Sequence, residues 1–270
     1  MNLKVITAVC IFAVGTALAN TTAIMVSLWN PAQLPPAEYD VMGLRLSAIY
    51  GKCSVFTGLD IGLVQKTARD FAGIGIGGIL NNVNGRTFGA QVGGVGNVAG
   101  DVYGTQIGGL FNASDSMSGV QCGYINWAEG EVKGVQIGDC NCACRVDSCG
   151  ISFFDLYGVQ IGLGNVARDV YGVQIGEINV VGIDKMTKAN TGLGYGCYGA
   201  QIGILGNGAF SAMHGVQIGG LSNYAGILNG VQIGLFNFAA TVDGGIQIGL
   251  WNHIEKNGWA RNLPIVNGGF

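Results

Sequence analysis

Charge is what this chain has least of. Charged side chains make up 11% of its 270 residues, against roughly 25% in ordinary soluble domains. The net charge is −3 and there is no run of Lys or Arg, so nothing is set up to neutralise a phosphate backbone and nucleic-acid binding is excluded as an expectation. Histidine is nearly missing too. His214 and His253 each stand beside a repeat boundary with no second histidine at ligand spacing, which reads as a polar residue in a turn and not as a metal site. After the first 19 residues no stretch of eighteen uninterrupted apolar residues occurs, so no transmembrane helix is expected. Phosphate loops, nucleophile elbows and zinc-protease motifs are also missing. Asp60, Asp139 and Glu177 are scattered carboxylates and form no catalytic pair.

What is abundant is glycine, 49 residues of it, and it is periodic. A phrase of the form Gly-x-Gln-Ile-Gly starts at Gly58, Gly73, Gly89, Gly104, Gly119, Gly134, Gly158, Gly172, Gly199, Gly215, Gly230 and Gly245. Most steps are 15 or 16 residues; the intervals Gly134 to Gly158 and Gly172 to Gly199 are longer and read as insertions or decayed copies. A short fixed period marks a repeat array, in which each unit buries its apolar face only against its neighbours. Two strings match the dinucleotide pattern GxGxxG, at Gly73, Gly75, Gly78 and at Gly194, Gly196, Gly199. Neither opens a helix, so both are repeat glycines.

Within a copy, Val231, Ile233 and Leu235 alternate with Gln232, Gly234 and Phe236. Period two is strand spacing, and two glycines per turn would cost a helix about 1 kcal/mol each. The phrase carries Gln106, Gln121, Gln136, Gln160, Gln174, Gln201, Gln217, Gln232 and Gln247, and is closed by Asn112, Asn126, Asn141, Asn165, Asn179, Asn207, Asn223, Asn237 and Asn252. The asparagine lies seven residues after the first glycine in some copies and eight in others, the latter usually with an added glycine (Gly108-Gly109, Gly219-Gly220). A bulge absorbs one extra residue without flipping the strand, and glycine permits it cheaply. The asparagine is expected to mark a corner, where it tolerates left-handed backbone and satisfies nearby backbone groups.

Two all-β architectures fit. In a single-domain parallel β-solenoid of about twelve 15-residue coils, the Gln and Asn positions become amide ladders of like on like, with coils about 4.8 Å apart. In an antiparallel outer-membrane β-barrel, Val, Ile and Leu face lipid and Tyr103, Tyr157 and Tyr171 sit at an interface girdle. The solenoid is favoured because adjacent copies look alike at both ends, whereas antiparallel neighbours would generate a two-strand repeat with unequal ends.

The array is expected to span 58–252. Before it, 1–19 reads as an export signal: Lys4, an apolar run from Val5 to Leu18, then Ala17-Leu18-Ala19. Cys10 falls within it and does not suggest lipidation. Residues 20–57, with Asn30-Pro31 and Pro35-Pro36, form an atypical amino-terminal cap, and 253–270 a carboxy-terminal cap or closing strand.

Beyond Cys10 the cysteines are Cys53, Cys122, Cys140, Cys142, Cys144, Cys149 and Cys197. Cys140, Cys142, Cys144 and Cys149 fall in the first irregular interval. Their C-x-C-x-C-x(4)-C spacing matches no zinc pattern, so disulfides pinning an insertion, or free thiols, are expected over a metal centre.

At GVQIGLFN, GVQIGEIN and GIQIGLWN, together with MGLRLSAIYGKCSVFTGLDIGLV and the closing LPIVNGGF, the chain resembles a family of bacterial surface-repeat proteins built of short Gly-x-Gln-Ile-Gly repeats behind a signal peptide. The resemblance covers about 41–270 and implies a surface location; it supplies no catalytic residues. The expectation is a non-catalytic exported protein, structural or adhesive, at the cell surface or outer membrane. It is expected to need no cofactor. A protein or envelope partner, membrane association and self-association all fit its weakly charged surface; the alternative, following from the barrel, is a channel or lumen-binding protein.

Overall fold

The computed structural model describes residues 20–147, 150–182, 196–256 and 258–269. The segment read as an export signal, with Cys10, lies outside the described residues, as do Cys149 and Gly194. The fold is all-β, a parallel β-solenoid of about 14 turns, and no helix is long and apolar enough to cross a membrane among the described residues.

The chain divides into two compact units, Met1–Gly123 and Tyr124–Phe270. The first holds β1 (Thr21–Trp29), β2 (Ala32–Leu34), β3 (Asp40–Cys53), β4 (Phe56–Thr67), β5 (Phe71–Val83), β6 (Thr87–Gly93), β7 (Gly96–Gly108) and β8 (Phe111–Cys122). From β3 onward neighbours run parallel, with Gly43, Gly58, Gly73, Gly89, Gly104 and Gly119 side by side. Val41, Phe56, Phe71, Thr87, Val102 and Met117 form a column in the same register, and none is more than 2% exposed. The stacking reaches upstream of Gly58: β3 lies parallel to β4 and to β1. Those early coils lack the Gly-x-Gln phrase, which is why the sequence yields twelve turns and the structure about 14.

The second unit holds β9 (Ile125–Ala128), β10 (Val132–Ile137), β11 (Cys140–Asp147), β12 (Gly150–Phe153), β13 (Leu156–Ala167), β14 (Val170–Val181), β15 (Gly196–Gly219), β16 (Ser222–Ile233), β17 (Phe236–Val242), β18 (Gly245–Lys256) and β19 (Asn262–Gly269). Gly134 stands beside Gly158 and Gly172 beside Gly199, so both long intervals are insertions into an otherwise unbroken register. The first contains a hairpin, β11 with β12, pairing Cys144 with Phe153 and Asp147 with Gly150. Where a seven-residue copy meets an eight-residue copy, between β14 and β15, a register shift after Gly176 restores Asn179 opposite Asn207. That is the expected bulge.

Coil-to-coil pairing is parallel throughout the described residues. The antiparallel pairs are β1 with β2, the β11–β12 hairpin, and β18 with β19. This overturns the outer-membrane barrel, which needs adjacent copies to alternate in direction. β19 lies antiparallel on β18, with Gln247 opposite Asn267, and so covers the edge that another parallel coil would otherwise extend.

Candidate functional site

Alternation sends the recurring amides inward. The glutamines of the phrase are 0–1% exposed and its asparagines 0–4%, so each must find its partners inside. In the first unit Gln106 Nε2 donates to Gln91 Oε1 at 3.0 Å and Gln121 Nε2 to Gln106 Oε1 at 2.9 Å. In the second, Gln160 donates to Gln136, Gln174 to Gln160, Gln201 to Gln174, Gln217 to Gln201, Gln232 to Gln217 and Gln247 to Gln232, at 2.7–2.9 Å. The asparagine column donates the opposite way, each copy to the next: Asn97 to Asn112 at 2.8 Å, then Asn126 to Asn141, Asn141 to Asn165, Asn165 to Asn179, Asn179 to Asn207, Asn207 to Asn223, Asn223 to Asn237 and Asn237 to Asn252, at 2.8–2.9 Å. A second bond fixes the sense of each column. Asn223 Nδ2 also donates to the Ile233 carbonyl at 2.9 Å and Gln217 Nε2 to the Tyr224 carbonyl at 3.1 Å, so turning an amide would set oxygen against oxygen.

Gln91, Asn81 and Asn97 also belong to these columns and were missed in the sequence. Their signal was present: Gly89-Ala90-Gln91-Val92-Gly93 is a degenerate phrase, and both asparagines fall eight residues after a first glycine. The corner reading of asparagine holds for the backbone groups it satisfies and needs correction for its conformation. No ladder asparagine has positive φ; the first glycine of the copies from Gly58 to Gly230 takes that conformation, +142° at Gly119 and +147° at Gly230, and in the last copy Gly244 takes it in place of Gly245. From within, asparagine holds the carbonyl of the bend before it and one of the next coil, as Asn237 does at Gly234 and Ile248.

In the first unit the glutamine column begins irregularly, reading Arg45, Asp60, Gly75, Gln91. Arg45 and Asp60 are 0% and 1% exposed. Arg45 Nε donates to Asp60 Oδ1 at 2.7 Å and Nη2 to Oδ2, while Nη1 reaches Cys53 Sγ and the Lys66 carbonyl, each at 2.9 Å. The guanidinium also lies over the Phe56 ring, 5.1 Å from its centre. Burial pushes the Asp60 carboxyl up from its ordinary value against the pull of Arg45. Burial works to lower Arg45, and hydrogen bonding and charge from Asp60 outweigh it, leaving Arg45 raised. At Gly75 the column has no side chain, and Gln91 Nε2 is left without an acceptor.

The outer face opposite the glutamines is a row of isoleucines. Ile137, Ile161, Ile175, Ile202, Ile218, Ile233 and Ile248 are each 38–41% exposed, which makes the row even along the second unit. Beside it Tyr157, Tyr171, Tyr198 and His214 stack at 4.7–5.1 Å with near-parallel planes. His214 therefore sits within a strand and not in a turn, and His253 Nδ1 contacts Asn262 Oδ1 at 2.7 Å. Ion pairs gather instead at the turns just before the core column: Arg69 with Asp40, Arg86 with Asp70, Arg168 with Asp155 and Asp169. Asp169 is buried and accepts from the Gly196 N–H at 2.6 Å. Burial, then the charge of Asp155, carry its pKa up to about 6, against the pull of that N–H and of Arg168.

Among the candidate ligands, Cys142 and Cys144 are joined in a disulfide, so neither is a thiolate available to metal, and Cys140 is an exposed free thiol. That bond links one strand to itself, so it does not pin the insertion. Among the described residues no group of three or more His, Cys, Asp or Glu is placed to hold a metal ion. Gly73 and Gly75 lie within β5, and Gly196 and Gly199 within β15, where no helix start receives a pyrophosphate.

Comparison with protein-family models, with curated proteins and with solved structures finds no match. The chemistry on offer is thus read from the chain alone: an interior of hydrogen-bonded amide columns, an outer row of isoleucines, and one cysteine cluster.

Proposed function

We propose that this protein is an exported, non-catalytic scaffold of the bacterial envelope, with the isoleucine row as its contact surface. The observation that carries the reading is the evenness of that row. Seven large apolar side chains at near-equal exposure, about 4.8 Å apart where coils adjoin, form a continuous apolar strip. A solvated surface gains nothing from such a strip, whereas a partner or a lipid headgroup layer does. The export-signal pattern of 1–19 and the resemblance to surface-repeat proteins support the location.

The test is a triple substitution of Ile161, Ile202 and Ile233 to Glu in cells. These side chains point outward, so circular dichroism of the purified variant should match the parent. The envelope-bound fraction after carbonate washing should fall several-fold. Unchanged retention, with the fold intact, would dismiss the row as the contact surface; recovery of the parent only from the cytoplasm would dismiss export.

A further inference from the structure

The first insertion carries three cysteines on alternate positions of β11. Asn141 and Ala143, between them, are buried in the interior columns, so the three sulfurs project from the other side of the strand. Cys142 and Cys144 are bonded to each other and Cys140 is free and exposed. Cys142 is half-buried, whereas Cys144 is 5% exposed.

This is a poor staple. A disulfide restrains an unfolded chain in proportion to the loop it closes, and this one encloses a single residue, Ala143. It holds no neighbouring coil: β11 is tied to β9 and β13 by backbone pairing at Asn141 with Asn126 and Asn165. The hairpin beyond is closed by its own ladder. The bond therefore has some use other than stability.

We propose that Cys140, Cys142 and Cys144 form a thiol–disulfide exchange site, whose substrate is an external thiol, either a small-molecule thiol or a cysteine exposed on another protein. An incoming thiolate attacks Cys142 Sγ, the more accessible sulfur of the bond. The Cys142–Cys144 bond breaks, its electron pair leaves on Cys144 Sγ, and that sulfur takes a proton from water. The external sulfur is now held to Cys142 as a mixed disulfide. Cys140, deprotonated to its thiolate, then attacks Cys142 Sγ from the other side. A Cys140–Cys142 bond forms, the external thiolate is expelled, and it takes up a proton equivalent to the one Cys140 lost. No net electrons are transferred; the protein gains a covalent tether that it can release.

The experiment uses the full chain with Cys149→Ser, so that three cysteines of the interval are followed, and reduced glutathione as the probe. Folded protein is incubated at neutral pH, quenched with N-ethylmaleimide, digested without reduction and mapped by tandem mass spectrometry. A glutathione adduct on Cys142 is expected, together with a Cys140–Cys142 pairing. In the added Cys140→Ser variant the adduct should accumulate several-fold, because release through Cys140 is gone and only the reverse attack by Cys144 remains. Cys197, whose thiol burial pushes up to about 12, should stay unlabelled and so reports that the fold is intact. Reaction only after denaturation overturns the proposal, as does equal accumulation with and without Cys140. So does loss of the circular dichroism spectrum in Cys144→Ser, which would make the bond a staple after all.

Discussion

At Gly104 a Cβ would fall 2.0 Å from the Gly89 carbonyl oxygen, and at Gly230 the same distance from that of Gly215. Both residues also hold φ near +145°, a region that L side chains avoid. Neither the clash nor the strain can relax, since the obstructing atom is backbone of the neighbouring coil. Gly230→Ala is therefore expected to cost about 2–4 kcal/mol, read as a drop in urea midpoint at unchanged m-value. Arg45 and Asp60 offer a sharper comparison. Asp60→Asn leaves a buried guanidinium without its counter-charge, a loss of about 3–5 kcal/mol. Replacing both residues with Gln puts a neutral amide pair where the ion pair was, so the double variant should recover most of that loss. A double variant as unstable as the single would show that the ion pair, and not its removal by halves, is what the coil requires. The glutamine role was legible because every interior copy must match its neighbours on both sides. Arg45 and Gly75 sit where the column begins and match on one side at most, which freed the sequence to depart from the phrase and hid them.

A single coil is stabilised largely through what it shares with the next. Asn223→Leu removes a donor to Asn237, an acceptor for Asn207 and a bond to the Ile233 carbonyl, and is expected to cost about 2–4 kcal/mol; thermal unfolding of the purified variant would show it. The turn before β14 behaves differently. Asp169 titrates near 6 in the folded chain against an ordinary value of 3.8, so the folded state holds its proton more tightly than the unfolded state. Its stabilising contribution is full below the ordinary value and is lost as pH rises through about 6. Asp169→Asn keeps the acceptor for Gly196 and removes the titration. Stability between pH 4 and pH 7 should therefore depend less on pH in the variant, as checked by urea midpoints at both ends of that range. The period-two pattern identified these strands, and the change from seven to eight residues before the asparagine identified the bulge, with a spare glycine at the β4–β5 shift and without one at β14–β15. The backbone of asparagine was misjudged because its side chain serves a corner equally well from left-handed or from extended backbone. Local sequence does not distinguish the two; the stacking of neighbours does.

Taken whole, the molecule is legible where it repeats and obscure where it does not. Parallel direction followed from the likeness of adjacent copies at both ends, and it decides between solenoid and barrel. The hairpin after Ala143 and the coils before Gly58 were hidden because neither carries the phrase. One prediction tests the modularity directly. Gly215 and Gly230 are register partners, so excising 216–230 joins equivalent points on successive coils. The shortened chain should fold, with a circular dichroism spectrum of the parent's shape, whereas excision of half that length should not. The reason lies in the direction of the amide columns. Because the donors within one column all face one way, the ladder atoms left over among the described residues stand at column ends: Gln91 Nε2 and Asn81 Oδ1 in the first unit, Gln247 Oε1 in the second. Taking out or splicing in a whole turn creates no fresh loose end, so length in this kind of protein is a quantity that gene duplication can dial freely.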